Sequence, residues 1–190
     1  NTCLEGNLRA LRKEIRKAKA LTPGILGVNV MVALTNFADM VRTAIEEQID
    51  VIFSGAGLPM NLPEFLTPGS KTKLVPIVSS ARVVRLITKR WIKRYNYVPD
   101  AFVIEGPLAG GHLGFKPEQI EDPKYGLEEL VPEIVQEVKA IEQYHDKTIP
   151  IIAGGGIYTG KDMYDILRLG ASAVQMATRF VTTHECDAAT

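Results

Sequence analysis

Cysteine is scarce in this sequence, long apolar runs are missing, and neither sign of charge is in excess. The two cysteines, Cys3 and Cys186, lie near opposite ends and form no CxxC pair. They read as free thiols in a reducing, cytoplasmic compartment rather than as a disulfide framework. No apolar stretch approaches the roughly 18 residues that spanning a bilayer requires, so no membrane role is expected. Lys plus Arg and Asp plus Glu number 22 each. Without a basic field, nucleic acid and anionic lipid are not expected as partners. The densest charge run, Arg12–Lys19, reads as a solvated helix face, because Leu8, Leu11, Ile15 and Ala18 form an apolar stripe opposite it.

What is present is a globular composition, 46% hydrophobic and 23% charged over 190 residues, enough for one large core and one domain. Short apolar runs recur at Ile25–Val32, Val51–Phe53, Leu74–Val78, Ala101–Ile104, Pro150–Ala153 and Ala173–Met176. They are continuous rather than alternating, as in parallel strands covered on both faces. Between them lie helical stripes: Phe37, Met40, Val41, Ala44 and Ile45; then Val84, Ile87, Trp91 and Tyr95, with Lys89, Arg90, Lys93 and Arg94 toward water. A third stripe is Leu130, Ile134, Val135, Val138 and Ile141. A fourth, Met163, Ile166 and Leu167, stops at Gly170, a natural residue to follow a helix end.

A repeated βα unit folds as an open doubly wound sheet or as a (β/α)8 barrel. Barrels take about 250 residues, and this chain opens on a helix with no strand before it. The expected fold is therefore an α/β (β/α)8 TIM barrel with strands three to eight visible and the first two missing, truncated at the N-terminus and near the C-terminus. Its outer strands would lack a neighbour, so the 190 residues are expected to be the ordered remainder of a longer polypeptide.

Both architectures bind ligands at the carboxyl ends of their strands, and unusual residues gather there, as if on one rim. Ser54-Gly-Ala-Gly57 follows one strand. Glu105 and then Gly106-Pro-Leu-Ala-Gly-Gly-His-Leu-Gly114 follow another. Gly154-Gly-Gly156 and Gln175-Met-Ala-Thr178 follow the last two. Gly155–Lys161 matches GxxxxGK, but Asp162 stands where a P-loop needs Ser or Thr for Mg²⁺. The same glycines, followed by a helix N-terminus near Gly160, suit a simpler phosphate. The plainer alternative is an ordinary glycine-rich turn.

Asn29 interrupts an apolar strand and needs a partner, either inside a barrel or on a polar ring. Glu105 is a paired structural carboxylate or a cofactor contact. His112 lies in a stretch of about twenty residues, Gly106–Gly126, with no helical pattern, a length that usually signals function. It serves as a general base near neutral pH or hydrogen-bonds its own loop. His145 falls where a helix runs out and His184 in the polar tail. None of the histidines has a second ligand at metal spacing, so no metal is expected.

The strings GVNVMVAL, FSGAG, EGPLAGGHLG, IIAGGGIYTG and AVQMATRF, in this order, resemble the nitronate monooxygenase (2-nitropropane dioxygenase) family. They also resemble its relatives, the flavin-dependent enoyl-ACP reductases. The resemblance implies a (β/α)8 barrel that binds FMN without a covalent link over residues 1–190. It implies His112 as catalytic base and Asn29, Glu105 and Gly110 against the flavin. The phosphate falls to Gly155, Gly156, Gln175, Met176, Ala177 and Thr178. Glu105 stands where many members have glutamine, and Ala177 where many have glycine. The implied reaction oxidises a small alkyl nitronate with O₂, in a protein compatible with a homo-oligomer. The alternatives are an enoyl-ACP reductase drawing on NAD(P)H and a non-catalytic ligand-binding barrel.

Overall fold

The computed structural model describes residues 2–186, with side chains from residue 6 on. The thiol expected at Cys3 lies outside the described side chains, and Cys186 is a half-buried free cysteine. The chain divides into two compact units, Asn1–Ile77 with Leu86–Asp100, and Val78–Arg85 with Ala101–Thr190.

The first unit contains α1 (Thr2–Leu21), β1 (Gly27–Met31), α2 (Phe37–Glu46), β2 (Val51–Gly55), nearly all of β3 (Lys73–Val78) and most of α3 (Ala81–Tyr95). β1, β2 and β3 run parallel, with Gly27 beside Val51 and Phe53 beside Val75. Ile52, Leu74 and Val75 are buried, as are Val41, Ala44 and Ile45 of α2 and Ile87 and Trp91 of α3. The indole N–H of Trp91 donates to the Pro59 carbonyl at 2.9 Å, which satisfies its one polar atom inside the core.

β1 departs from the expected continuous burial. Gly27, Asn29 and Met31 are exposed on one face, while Val30 is buried on the other. That is the two-residue period of a strand covered on one side only. Ile25 lies before the strand and is exposed.

The charge run on α1 is more than a solvated face. Arg12 contacts Glu46 and Glu47, and Arg16 donates to Glu47 at 2.7 and 2.8 Å. Lys19 donates to the carbonyls of Glu47 and Gln48, where α2 ends. The Arg16 guanidinium, followed by that of Arg12, holds the Glu47 carboxyl down at about 2. Arg90 likewise turns inward: it is half-buried, donates to Asn61 Oδ1 at 3.4 Å, and its Nε has no partner among the described residues.

The second unit contains β4 (Phe102–Glu105), α4 (Leu127–His145), β5 (Ile151–Gly154), α5 (Gly160–Arg168), β6 (Ala173–Gln175) and α6 (Thr178–Val181). β4, β5 and β6 are parallel, with Phe102 beside Ile151 and Ile152 beside Ala173. Phe102, Val103 and Ile104 are buried, as the continuous apolar run requires, against Leu130, Val131, Ile134 and Val138 of α4. Val131 belongs to this stripe although the expected spacing omitted it. Of the stripe expected on α5 only Ile166 is buried, and Met163 and Leu167 remain more than a third exposed. Gly170 ends that helix at φ +108°, with Val135 packed against it. Gly106–Gly126 has two 3₁₀ turns, Pro117–Gln119 and Pro123–Tyr125, each started by a proline that presets φ. Phe115 and Tyr125 meet edge to face across them at 6.1 Å.

No helix among the described residues is long and apolar enough to cross a membrane.

Candidate functional site

Nine of the ten residues singled out from the sequence fall in the second unit, at the carboxyl ends of β4, β5 and β6. The register sets Glu105 beside Gly154, and Gly154 beside Gln175. Beyond the strands, Gly106 N–H donates to Gly154 O at 2.9 Å, and Ala109 N–H returns to Gly106 O at 3.0 Å. The chain after β4 therefore makes a tight turn against the end of β5.

Two glycines of the loop after β5 are required by that packing. Gly155 has φ +115°, and a Cβ there would lie 3.0 Å from Ala109 N and 3.2 Å from Gly106 O. Gly156 has φ +78°, and its Cβ would come within 2.8 Å of the Leu108 side chain. Only a residue without Cβ takes these dihedrals at such closeness.

Among the described residues the backbone N–H groups of Gly155, Gly156, Met176, Ala177 and Thr178 find no acceptor. Ala177 precedes α6 and has no side-chain cap to offer that helix. Two loops at adjacent strand ends thus carry unanswered donors, the composition of an anion cradle.

The expected donor at the start of α5 is already engaged. Thr159 caps that helix, and the Asp162 carboxylate accepts from Tyr158 N–H at 3.1 Å and Thr159 N–H at 2.8 Å. The backbone donor Thr159, followed by Tyr158, draws the Asp162 carboxyl below its ordinary range. An incoming anion there would have to displace a carboxylate. The Thr159-x-x-Asp162 spacing, a capping-box pattern, was legible in the sequence.

A cavity of about 570 Å³ opens on one side of the glycine loop, lined by Leu108, Gly155, Gly156 and Ile157. Glu121, Asp122, Glu128, Asp162 and Asp165 also line it, with no basic side chain among the lining residues. Such a field repels a phosphate. None of Gln175–Thr178 lines that cavity, so the open amides of the β6 loop do not belong to it.

Glu105 is half-buried with no hydrogen-bond partner among the described residues, and burial alone pushes its carboxyl above the ordinary value. Of the two readings of Glu105, the paired carboxylate is not seen among the described residues. His112 is exposed, and its imidazole makes no hydrogen bond or ion pair among the described residues. Neighbouring Gly110 is open on every side, and Gly111 adopts φ +85°. Gly114 turns the loop back so closely that a Cβ would strike Ser79 Oγ at 2.5 Å. Asn29 lies in the first unit, exposed on β1 and without a side-chain hydrogen bond among the described residues, so of its two readings the interior hydrogen bond is not seen there. Near the carboxyl end of β2 the buried hydroxyl of Ser54 donates to Val30 O at 2.9 Å.

The family model for nitronate monooxygenase matches residues 18–190. The chain belongs to the nitronate monooxygenase family. Among curated proteins it is similar to a protein named "Probable nitronate monooxygenase" from Staphylococcus aureus (strain JH9), 30% identical over 184 residues. That alignment covers 96% of this chain and 46% of the relative, so the chain spans about half the length of the curated relatives it matches. Among solved structures, FabK from Thermotoga maritima is 31% identical with a TM-score of 0.74, over 95% of this chain and 50% of that one. Nitroalkane oxidase from Streptomyces ansochromogenes shares the fold at 21% identity and a TM-score of 0.73, over 95% of this chain and 57% of that one.

Two residues beside these loops escaped the sequence reading. Leu108 is 70% exposed yet forms the wall against Gly156, and Arg179 joins the two donor loops, as described below. Leu108 shows only as one more apolar residue, and Arg179 finds its partner 21 positions away, beyond any local pattern.

Proposed function

We propose that this protein is an FMN-dependent oxidoreductase that oxidises alkyl nitronates with O₂, with His112 as general base toward neutral nitroalkanes. The supporting observation is the pair of donor loops, Gly155–Gly156 and Met176–Thr178, beside a glycine-rich loop that carries an unpaired histidine. A phosphate dianion suits five unanswered amides, and the two close-packed glycines keep the backbone bare for it. The open amides suit the phosphate end of FMN, while the acidic cavity on one side of Gly155 and Gly156 does not.

In this reading the six strands correspond to the third to eighth strands of a (β/α)8 barrel, whose last two βα loops are a common phosphate site. Residues 1–190 then act as one FMN-binding domain. Backbone amides of Gln175–Thr178 and Gly155–Gly156 hold the phosphate, while Glu105 and Gly110 lie against the ring. Asn29 is assigned to the ring on the family resemblance alone. FMN, when bound, supplies the electron acceptor and the route to O₂, chemistry that the side chains of this chain lack. His112, held on open glycine backbone, takes the proton from the carbon beside the nitro group at a ring nitrogen. The half-buried Glu105 is retained as the neutral acid more readily than a solvated carboxylate, and as such it offers an O–H donor.

The test is an absorbance titration of the chain with FMN, followed by anaerobic addition of a nitronate and, separately, of NADPH. Bleaching by nitronate and not by NADPH is expected. A second reading, flavin-dependent enoyl-ACP reduction, draws on the shared motifs and on the likeness to FabK, which is as high in identity as that to the curated relatives. Rapid bleaching by NADPH selects it.

A further inference from the structure

Arg179 follows the β6 donor loop directly, yet its side chain turns to the other loop. Its Nη1 donates to the Tyr158 carbonyl at 3.2 Å. Its guanidinium lies over the Tyr158 ring, 5.3 Å from the centroid. Tyr158 comes just after Gly155-Gly156-Ile157, so one side chain spans the two segments whose amides lack acceptors. The joint involves two different groups of the arginine: a directional N–H bond and a charge on the face of a π-system. Arg179 makes no ion pair among the described residues.

We infer that Arg179 is a positioning residue for the phosphate cradle, a latch that holds the Gly155–Tyr158 and Gln175–Thr178 loops at the separation a phosphate monoester needs. This rests on the FMN reading above. Neither loop is held by a ladder beyond its strand: β6 ends at Gln175 and β5 at Gly154. Past those residues the described contacts joining the two loops are the Arg179 pair. The latch has a chemical corollary. It acts only on the phosphate end of the ligand, so it discriminates FMN from riboflavin, which has the same ring and no phosphate.

The experiment measures FMN and riboflavin affinities by quenching of flavin fluorescence, for the full chain and for Arg179→Gln, Tyr158→Leu and the double variant. Losing the bond and the stacking together is expected to weaken FMN binding about tenfold in Arg179→Gln, and losing the stacking alone about threefold in Tyr158→Leu. The double variant should stay near about tenfold rather than reach the product, because the two residues act through one contact. Riboflavin affinity should not move. Hydrogen exchange without flavin gives a readout independent of the ligand: the Tyr158 amide, which donates to Asp162, is expected to exchange faster in Arg179→Gln.

The outcomes separate cleanly. If the unmodified chain binds FMN no more tightly than riboflavin, the phosphate cradle is wrong, while faster exchange in Arg179→Gln still supports the latch. If the unmodified chain prefers FMN and Arg179→Gln keeps both that preference and the exchange rates, the latch is overturned. A loss confined to Arg179→Gln, with Tyr158→Leu unchanged, makes the arginine a direct phosphate ligand and also overturns it. An equal loss of FMN and riboflavin assigns it a general structural role instead.

Discussion

Replacing Gly155 with alanine adds one methyl group at the point where the loops after β4 and β5 meet. Its φ of +115° is a conformation that L side chains rarely adopt, and holding a non-glycine residue in such a region costs about 1–3 kcal/mol. The new Cβ would sit 3.0 Å from Ala109 N, 3.2 Å from Gly106 O and 3.3 Å from Gly106 N. All three are backbone atoms. Ala109 N–H and Gly106 O are already bonded to each other at 3.0 Å, and Gly106 N–H is bonded to Gly154 O. None can retreat without opening a hydrogen bond, so overpacking adds about 1–3 kcal/mol. A lower unfolded-state entropy returns about 0.4–1 kcal/mol. The expected loss is about 2–5 kcal/mol, a large share of the roughly 5–15 kcal/mol that holds a typical domain folded. Urea unfolding of the variant and the unmodified chain, at equal m, measures it as a shift in midpoint. Gly110→Ala is the control, since a Cβ there meets nothing within 4 Å, and it should stay within about 0.5 kcal/mol. If Gly155→Ala unfolds at the control's midpoint, the close approach of these two loops is wrong. The same strain makes an aspartate at Gly155 a poor probe of the phosphate, because stability and binding would fall together.

Three further outcomes are expected. Ala177→Asp places a carboxylate beside the open amides of the β6 loop at a position with negative φ; it should cap α6 at no cost in stability, to within about 1 kcal/mol, and leave the protein colourless, whereas normal FMN occupancy would move the phosphate elsewhere. His112→Ala should abolish turnover of neutral nitroalkane and spare both FMN binding and part of the activity on preformed nitronate; equal loss on the two substrates would mean that His112 does not act as the base. Glu105 has a folded-state value raised above the ordinary 4.5 by burial, so its contribution to stability is complete below that value and is lost as pH rises through the raised one. Glu105→Gln carries no charge at any pH, so its melting temperature relative to the unmodified chain should rise between acid and neutral pH. A constant difference across that range would show that burial at this position costs the carboxylate nothing.

Six strands were legible as short apolar runs, and each lies within about two residues of its expected place; β2 to β5 are mostly buried, as a strand covered on both faces must be, whereas β1 and β6 are largely exposed. The glycine loops and His112 were legible for a related reason: bare backbone and a lone imidazole just past a strand have few structural uses. Other features had no local signature. Nothing in β1 distinguishes a covered face from an open one, so the exposure of Asn29 depends on which elements lie over it. Arg90 reads as one cation among several on a helix, yet Asn61, 29 positions away, draws it inward. Arg12 and Arg16 find Glu46 and Glu47 more than thirty positions on. Asp162 fills the helix terminus that the glycine pattern had offered to a ligand, leaving the loop amides as the open donors. Backbone conformation was determined by neighbouring residues and their apolar period, which the sequence alone displays, whereas burial on β1 and α5 was not. The pairing of charges and donors was decided by tertiary structure, because a guanidinium or an amide is satisfied by whichever acceptor the fold brings within about 3 Å.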